Sequence, residues 1–313
     1  MNVGEFNRLT EVRRFAAERL PDMIRERLSD RAIECVYAKD AYRNNGQRLL
    51  GISVVETGLD FSPCIYVEPY IPPDPSVLQQ RGVWGRIADR LADDFRFALD
   101  ASEPVPEDVF RLEEAEEHLI LKVVNRERNK LLRERFPHKD VLDLTVLLEW
   151  EVFCGKRRGL IHVSKNALEQ WDRSFDEMFE IALANTMKRY PERIEPLGDL
   201  LMEMAKRLPV TGGSSPFYFV GTNWFLQGSV VMVYPGIFRR IYEAIGEAYY
   251  LIPSSIHELL ALPLSFDTDL QRVKDITWEI NTYLLEPSEV LSDSVYLYHP
   301  ETDFLEIIPT DYS

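Results

Sequence analysis

In FYFVGTNWFLQGSVVMVYPGIFRRIYEAIGEAYYLIPSSIHELLALPL, residues Phe217–Leu264, strand-like and helix-like apolar patterns follow one another directly. The stretch reads as two β-hairpins joined by one helix. The first hairpin pairs Phe217–Gly221 with Val230–Tyr234 across a turn holding Thr222, Asn223 and Gly228. The second pairs Tyr249–Ile252 with Ile256–Leu262 across Pro253-Ser254-Ser255. Aromatic and β-branched runs bounded by Gly, Pro, Asn and Ser are the sequence form of strands and their turns. Between the hairpins Pro235 and Gly236 open a helix whose Ile237, Phe238, Ile241 and Ile245 recur at steps of three and four. Such a unit predicts antiparallel sheet with covering helix, hence an α+β fold.

Toward the C-terminus, Thr268-Asp269-Leu270-Gln271 has the form of a capping box, in which a side-chain oxygen takes one orphan amide and a Gln or Glu reaches back to another. The helix it opens turns Leu270, Val273, Ile276, Thr277, Ile280 and Leu284 inward and stops before Pro287. Val295–His299 and Phe304–Ile308 form a last hairpin around Pro300-Glu301-Thr302-Asp303. Toward the N-terminus, a helix is expected over Pro196–Leu208 and a flexible loop over Thr211–Ser215. Ser174-Phe175-Asp176-Glu177 is a second capping box, whose helix buries Phe175, Met178, Phe179, Ala182 and Met187 and ends at Pro191. Ser164 caps a short helix through Trp171. Leu142–Phe153 and Gly159–Val163 are strands joined at Gly155–Arg158, and His118–Val124 is a short apolar run.

The first third has a different texture. Asn7–Ser29 carries Leu9, Val12, Phe15, Ala16, Leu20, Ile24 and Leu28 at helical spacing, with Pro21 as an expected kink or break. Ala32–Ala38, Leu49–Glu56 and Cys64–Tyr70 read as three antiparallel strands, and Asn45-Gly46 suits the positive φ that a tight hairpin needs. After the stiff Ile71–Pro75, Trp84, Ile87, Leu91, Phe95 and Leu99 mark an amphipathic helix over one face of that sheet. Asp100–Glu117 holds two prolines and eight acidic residues against one arginine, which reads as a linker. The expected organisation is a small α+β domain over 1–99, an acidic linker over 100–117 and a larger α+β domain over 118–313.

The residues Ala41–Pro69 (AYRNNGQRLLGISVVETGLDFSPCIYVEP), Val124–Leu144 (VNRERNKLLRERFPHKDVLDL), Val233–Pro263 and Leu291–Tyr298 (LSDSVYLY) resemble a bacterial family, domain of unknown function fifty-six eighty-eight, over nearly the whole chain. The second half is distantly similar to domain of unknown function fourteen forty-four, through the Ser174–Thr186 helix and Ser292–Tyr296. Neither resemblance brings an activity, and neither carries over a catalytic residue. Both imply a complete native protein.

The net charge of −16 disfavours general nucleic-acid binding, which draws its affinity from cations neutralising phosphates. The balance is uneven, however: 118–139 carries seven basic residues against two acidic ones, directly after the acidic linker. Cys35, Cys64 and Cys154 show no paired spacing, which suits buried thiols in a reducing compartment. No run reaches the ~18 apolar residues of a membrane span, and the N-terminus lacks the order of a signal peptide, so a cytoplasmic protein with no membrane contact is expected.

Chemistry is sought in two places. Asn125, Arg126, Asn129 and His138 lie in one polar connection between apolar runs, a composition able to hold an anion. Ser255 lies in the turn of the second hairpin and His257 in the strand beside it, with Asp293 as a distant acidic partner. Strand alternation sends His257 and Glu258 to opposite faces, which argues against a local triad, and no Gly-x-Ser-x-Gly elbow, phosphate loop or metal-ligand spacing occurs. The five histidines are scattered singly, and the pairs Asp140/Asp143 and Asp267/Asp269 alone make no cation site. No metal and no cofactor are expected. The leading expectation is a non-enzymatic binding or regulatory protein that meets a protein partner through its acidic surface. The second is an enzyme or binding protein for a small anionic ligand in a cleft between lobes. The third is an inhibitor that mimics nucleic-acid charge toward a basic partner.

Overall fold

A computed structural model describes residues 3–59, 62–100, 112–154, 157–205, 215–266 and 269–310. The fold is α+β, with antiparallel pairing throughout the registers of its sheets. The chain divides into two compact units: residues 1–43, 47–109 and 153–158, and residues 44–46, 110–152 and 159–313.

In the first unit, helix α1 (Val3–Arg27) precedes strands β1 (Ile33–Tyr42), β2 (Arg48–Glu56) and β3 (Cys64–Tyr66), which form a sheet in that order. Helix α2 (Val83–Asp100) follows a short 3-10 turn at Pro75–Gln79. Three periodicities meet in one core. Ala16, Leu20, Ile24 and Leu28 recur every four residues from α1 onward. Val83, Ile87, Leu91, Phe95 and Leu99 do the same on α2, while Leu50, Ile52 and Val54 alternate on β2. All of these side chains are buried. Pro21 lies within α1, which runs on as one helix instead of breaking there. Arg31 forks onto both oxygens of Glu56, each at 2.9 Å, and tethers Asp100 at 2.5 Å, while Arg96 grips Asp30 at 2.6 Å and holds its carboxyl down at about 2.

The second unit opens with α3 (Leu112–His118), so the part of the expected linker from Leu112 onward is helical; 101–111 lie outside the described residues. Next come β4 (Leu119–Asn125), α4 (Lys130–Arg135), β5 (His138–Val141), β6 (Leu144–Cys154) and β7 (Arg157–His162), with β6 between β4 and β5 and also paired to β7. Helices α5 (Lys165–Trp171) and α6 (Phe175–Arg189) begin where their serines predict: Ser164 accepts from the Ala167 amide, and Ser174 and Glu177 complete the capping box. Strand β8 (Glu192–Pro196) and helix α7 (Leu197–Ala205) lead toward the expected loop at 211–215, of which 211–214 lie outside the described residues.

The stretch Phe217–Leu264 then departs from its expectation in one half. Strand β9 (Tyr218–Thr222) is followed by a 3-10 helix over Gly228–Val233, so Val230–Tyr234 makes no strand and the first hairpin does not form. Both edges of β9 are taken by β8 and β11 (Glu258–Pro263), which leaves no place for a partner there. A Cβ on Gly228 would lie 2.1 Å from the His257 carbonyl oxygen, so the chain turns inward against that strand end. An unbroken buried run such as Gly228–Met232 has no period to separate strand from helix. The other half is as expected: α8 (Ile237–Ile245) buries Ile237 and Ile241, and β10 (Tyr249–Ile252) pairs with β11.

Helix α9 (Leu270–Glu279) is capped by Asp269, whose carboxylate accepts from the Gln271 amide at 3.2 Å; Thr268, the expected cap, lies outside the described residues. It runs into one π-helical turn, Ile280–Leu284. Strands β12 (Val295–His299) and β13 (Phe304–Ile308) form the expected last hairpin and complete the order β13-β12-β10-β11-β9-β8. Ile252, Leu262, Val273 and Val295 pack together, seating α9 on this sheet.

Candidate functional site

Within the second unit, three of the residues singled out from sequence converge, and their polar groups are used on one another and on backbone. Asn125, at the end of β4, donates to the Leu291 carbonyl at 2.9 Å and accepts from the Arg128 amide at 2.8 Å. Asn129, which is buried, donates to the Asn125 carbonyl and the Asn45 side chain and accepts from the Asn45 amide. Asn45 and Gly46 both hold positive φ, as the turn requires. Asp293 is gripped by Arg128 at 2.5 Å and by Asn281, from the π-helical turn, at 2.9 Å. Beside it Asp143 accepts from Ser292 and from Tyr296, whose hydroxyl is kept protonated by burial and by this carboxylate.

The remaining expected residues are placed elsewhere. Arg126 donates to the Leu142 carbonyl at 3.0 Å, and His138 Nδ1 lies 3.0 Å from the Phe136 carbonyl oxygen. Ser255 is buried and bridges Glu258 Oε1 and the His257 amide. His257 Nδ1 accepts from the Gln227 amide at 3.2 Å, and its Nε2 lies 3.6 Å from Glu289. As an acceptor, that Nδ1 carries no proton. This arrangement fixes loops and holds no open set of catalytic groups.

Two features were not reached from sequence. The first lies on one face of β6, where Glu149 and Glu151 are almost fully buried. Glu149 accepts from Lys122 at 2.8 Å, and Glu151 is bound by Arg189 and by the Tyr190 hydroxyl at 2.6 Å. His162, 3.5 Å from Glu149, is held below the ordinary histidine pKa by burial, which outweighs the opposing carboxylate. Two glutamates at alternate positions of an apolar strand were the available signal, because a buried charge needs a partner.

The second feature is a cavity of about 930 Å³ in the first unit, within the size range of small-molecule sites. Helix α1 supplies Val12, Ala16 and Ala17, the sheet supplies Ala38 and Leu50, and Val67 with Ile71–Pro73 closes the other side. Ala16, Leu50 and Val67 are buried and form its apolar floor. Its polar part holds Arg13, Arg14 and Arg48 against Asp40 and Glu68, while Lys39, also at its wall, carries its ammonium over the Tyr37 ring on the other face of the sheet. Arg13 donates to the Arg48 carbonyl at 2.8 Å and to Asp40 at 3.1 Å, and Arg48 also pairs with Asp40, holding that carboxyl below its usual range. Glu68 accepts from the Leu50 amide at 2.7 Å. Arg13 Nε and Glu68 Oε2 are buried without a hydrogen-bond partner. None of the seven residues expected from sequence lines this cavity.

The described chain is thus an α+β protein with a ligand-sized cavity in its first unit. It belongs to the Family of unknown function (DUF5688), whose model matches residues 14–300. No curated protein and no solved structure matches the chain. Among the described residues, no helix is long and apolar enough to cross a membrane, and no group of three His, Cys, Asp or Glu side chains is placed to hold a metal ion.

Proposed function

We propose that this protein binds a small amphipathic anion, with the ligand's apolar body on the floor formed by Ala16, Leu50 and Val67 and its charged end toward the basic side chains of the cavity. The observation that carries this reading is the local reversal of charge. Three basic side chains, Arg13, Arg14 and Arg48, face two acidic ones around an apolar cavity, in a chain whose net charge is −16. An apolar concave surface with a few converging polar groups is the usual form of a small-molecule site. Burying each methylene of a ligand contributes about 0.8 kcal/mol, so a medium-chain tail supplies most of the affinity. The test is displacement of an uncharged, environment-sensitive dye from the purified protein by medium-chain amphiphiles. Dye emission that rises with protein and falls with amphiphile supports the reading, and the absence of any dye or amphiphile binding removes it.

A protein partner met through the acidic surface is a second reading, supported by the net charge and by Trp224 and Leu226, which stand 65% and 53% exposed on the loop after β9. Cross-linking to a basic partner should weaken as salt is raised above about 0.15 M and in the Trp224→Ala/Leu226→Ala variant. Capture indifferent to both would remove this reading.

A further inference from the structure

The cavity's charge reversal selects anions in general, and the bonding of Arg13 narrows the class. Resting on the ligand-site reading above, we propose that the head group is a carboxylate taken side-on by Arg13. A guanidinium presents Nε–H and one Nη2 hydrogen along a single edge, spaced for the two oxygens of a planar carboxylate. On Arg13 that edge is half used. Nη2 donates to Asp40 Oδ1 at 3.1 Å and Nη1 is occupied by the Arg48 carbonyl, while Nε is buried and unpartnered. Asp40 does not depend on this contact, because Arg48 also binds it, and Arg48 is the larger cause of its lowered pKa. An incoming carboxylate therefore takes Nε and displaces Asp40 from Nη2 without leaving Asp40 unpaired.

The acidic neighbours set the charge of the guest. Asp40 shares the Arg13 edge, and Glu68 stands 3.8 Å from Nη1, so a dianionic phosphate faces two carboxylates where a monoanion meets half the repulsion. The apolar floor beneath requires that the carboxylate end a hydrocarbon body. The ligand class is a medium-chain monocarboxylate.

The experiment is a dye-displacement titration of the full chain, with N-phenyl-1-naphthylamine as the uncharged reporter and decanoate, decanol and decyl phosphate as competitors. Wild type and Arg13→Lys, which keeps the charge but loses the planar edge, are compared. Decanoate is expected to bind roughly tenfold more tightly than decanol and more tightly than decyl phosphate. In Arg13→Lys the preference for decanoate over decanol should disappear. Tighter binding of decyl phosphate, or a preference for decanoate over decanol that survives in Arg13→Lys, overturns the carboxylate assignment and leaves the anion reading standing, whereas equal binding of decanoate and decanol with no tighter binding of decyl phosphate overturns both. Failure of reporter and all three competitors to bind overturns both. The three-competitor comparison in wild type decides the matter even if Arg13→Lys folds poorly.

Discussion

Asn129 shows how much of this chain's polar chemistry is structural. Its amide joins Asn125 to the Asn45 turn through three hydrogen bonds of 2.8–2.9 Å, and it is buried. Removing it strands the Asn45 amide, at a cost of about 1–3 kcal/mol. Asn129→Ala should lower the urea midpoint accordingly; an unchanged midpoint would show that water replaces the side chain freely. Gly228→Ala has a steric cause instead. Its new Cβ would meet the His257 carbonyl oxygen at 2.1 Å, so the loss should be well above the ~1 kcal/mol of an average substitution, and wild-type stability in that variant would contradict the close approach. At this scale the sequence was partly legible. The composition around Asn125 and Asn129 marked a residue cluster that does assemble, but composition does not distinguish side chains that bind a ligand from side chains that bind backbone. Arg13, Asp40, Arg48 and Glu68 gave no signal at all. They lie on separate elements, and only the packing of α1 against the sheet brings them together.

Among the elements, those with local signals were read well. Ser174 and Glu177 announce α6, and the capping box forms as written, so Ser174→Ala should cost about 0.5–2 kcal/mol in thermal or urea unfolding. A smaller loss would mean that packing of Met178, Phe179 and Ala182 alone fixes where the helix starts. Strands β1 to β3, α2 and the β12–β13 hairpin follow from alternation, four-residue steps and turn residues. The failures share one cause. Val230–Val233 became a 3-10 helix because β9 was already paired on both sides, and β8 was missed because the polar Glu192–Pro196 becomes a strand only by pairing with β9. Sheet pairing is a non-local decision, and a buried or a polar run carries no period that records it.

Over the whole molecule, the titration of the half-buried Tyr70 and the buried Tyr298 gives a measurable consequence. Burial, with hydrogen bonds to Asp94 and Asp303, pushes Tyr70 and Tyr298 up to about 12. Their folded pKa values lie above the unfolded value near 10, so their contribution is full below pH ~10 and is lost as pH rises toward 12. Tyrosinate absorbance should therefore lag behind that of exposed tyrosines and then rise together with unfolding in that window. Early titration of all tyrosines, with the fold intact, would contradict the desolvation and carboxylate bonding of these two. The distribution of charge across the chain is what the proposed anion site rests on: basic groups gather around one apolar cavity in a strongly acidic protein. The measurement that bears most directly on this is methyl NMR of the full chain titrated with decanoate. The account predicts saturable shifts of Val12, Ala16, Ala17, Leu50 and Val67, with methyls remote from the cavity unmoved. Shifts absent from those five residues, or spread over exposed surface without saturating, would contradict it.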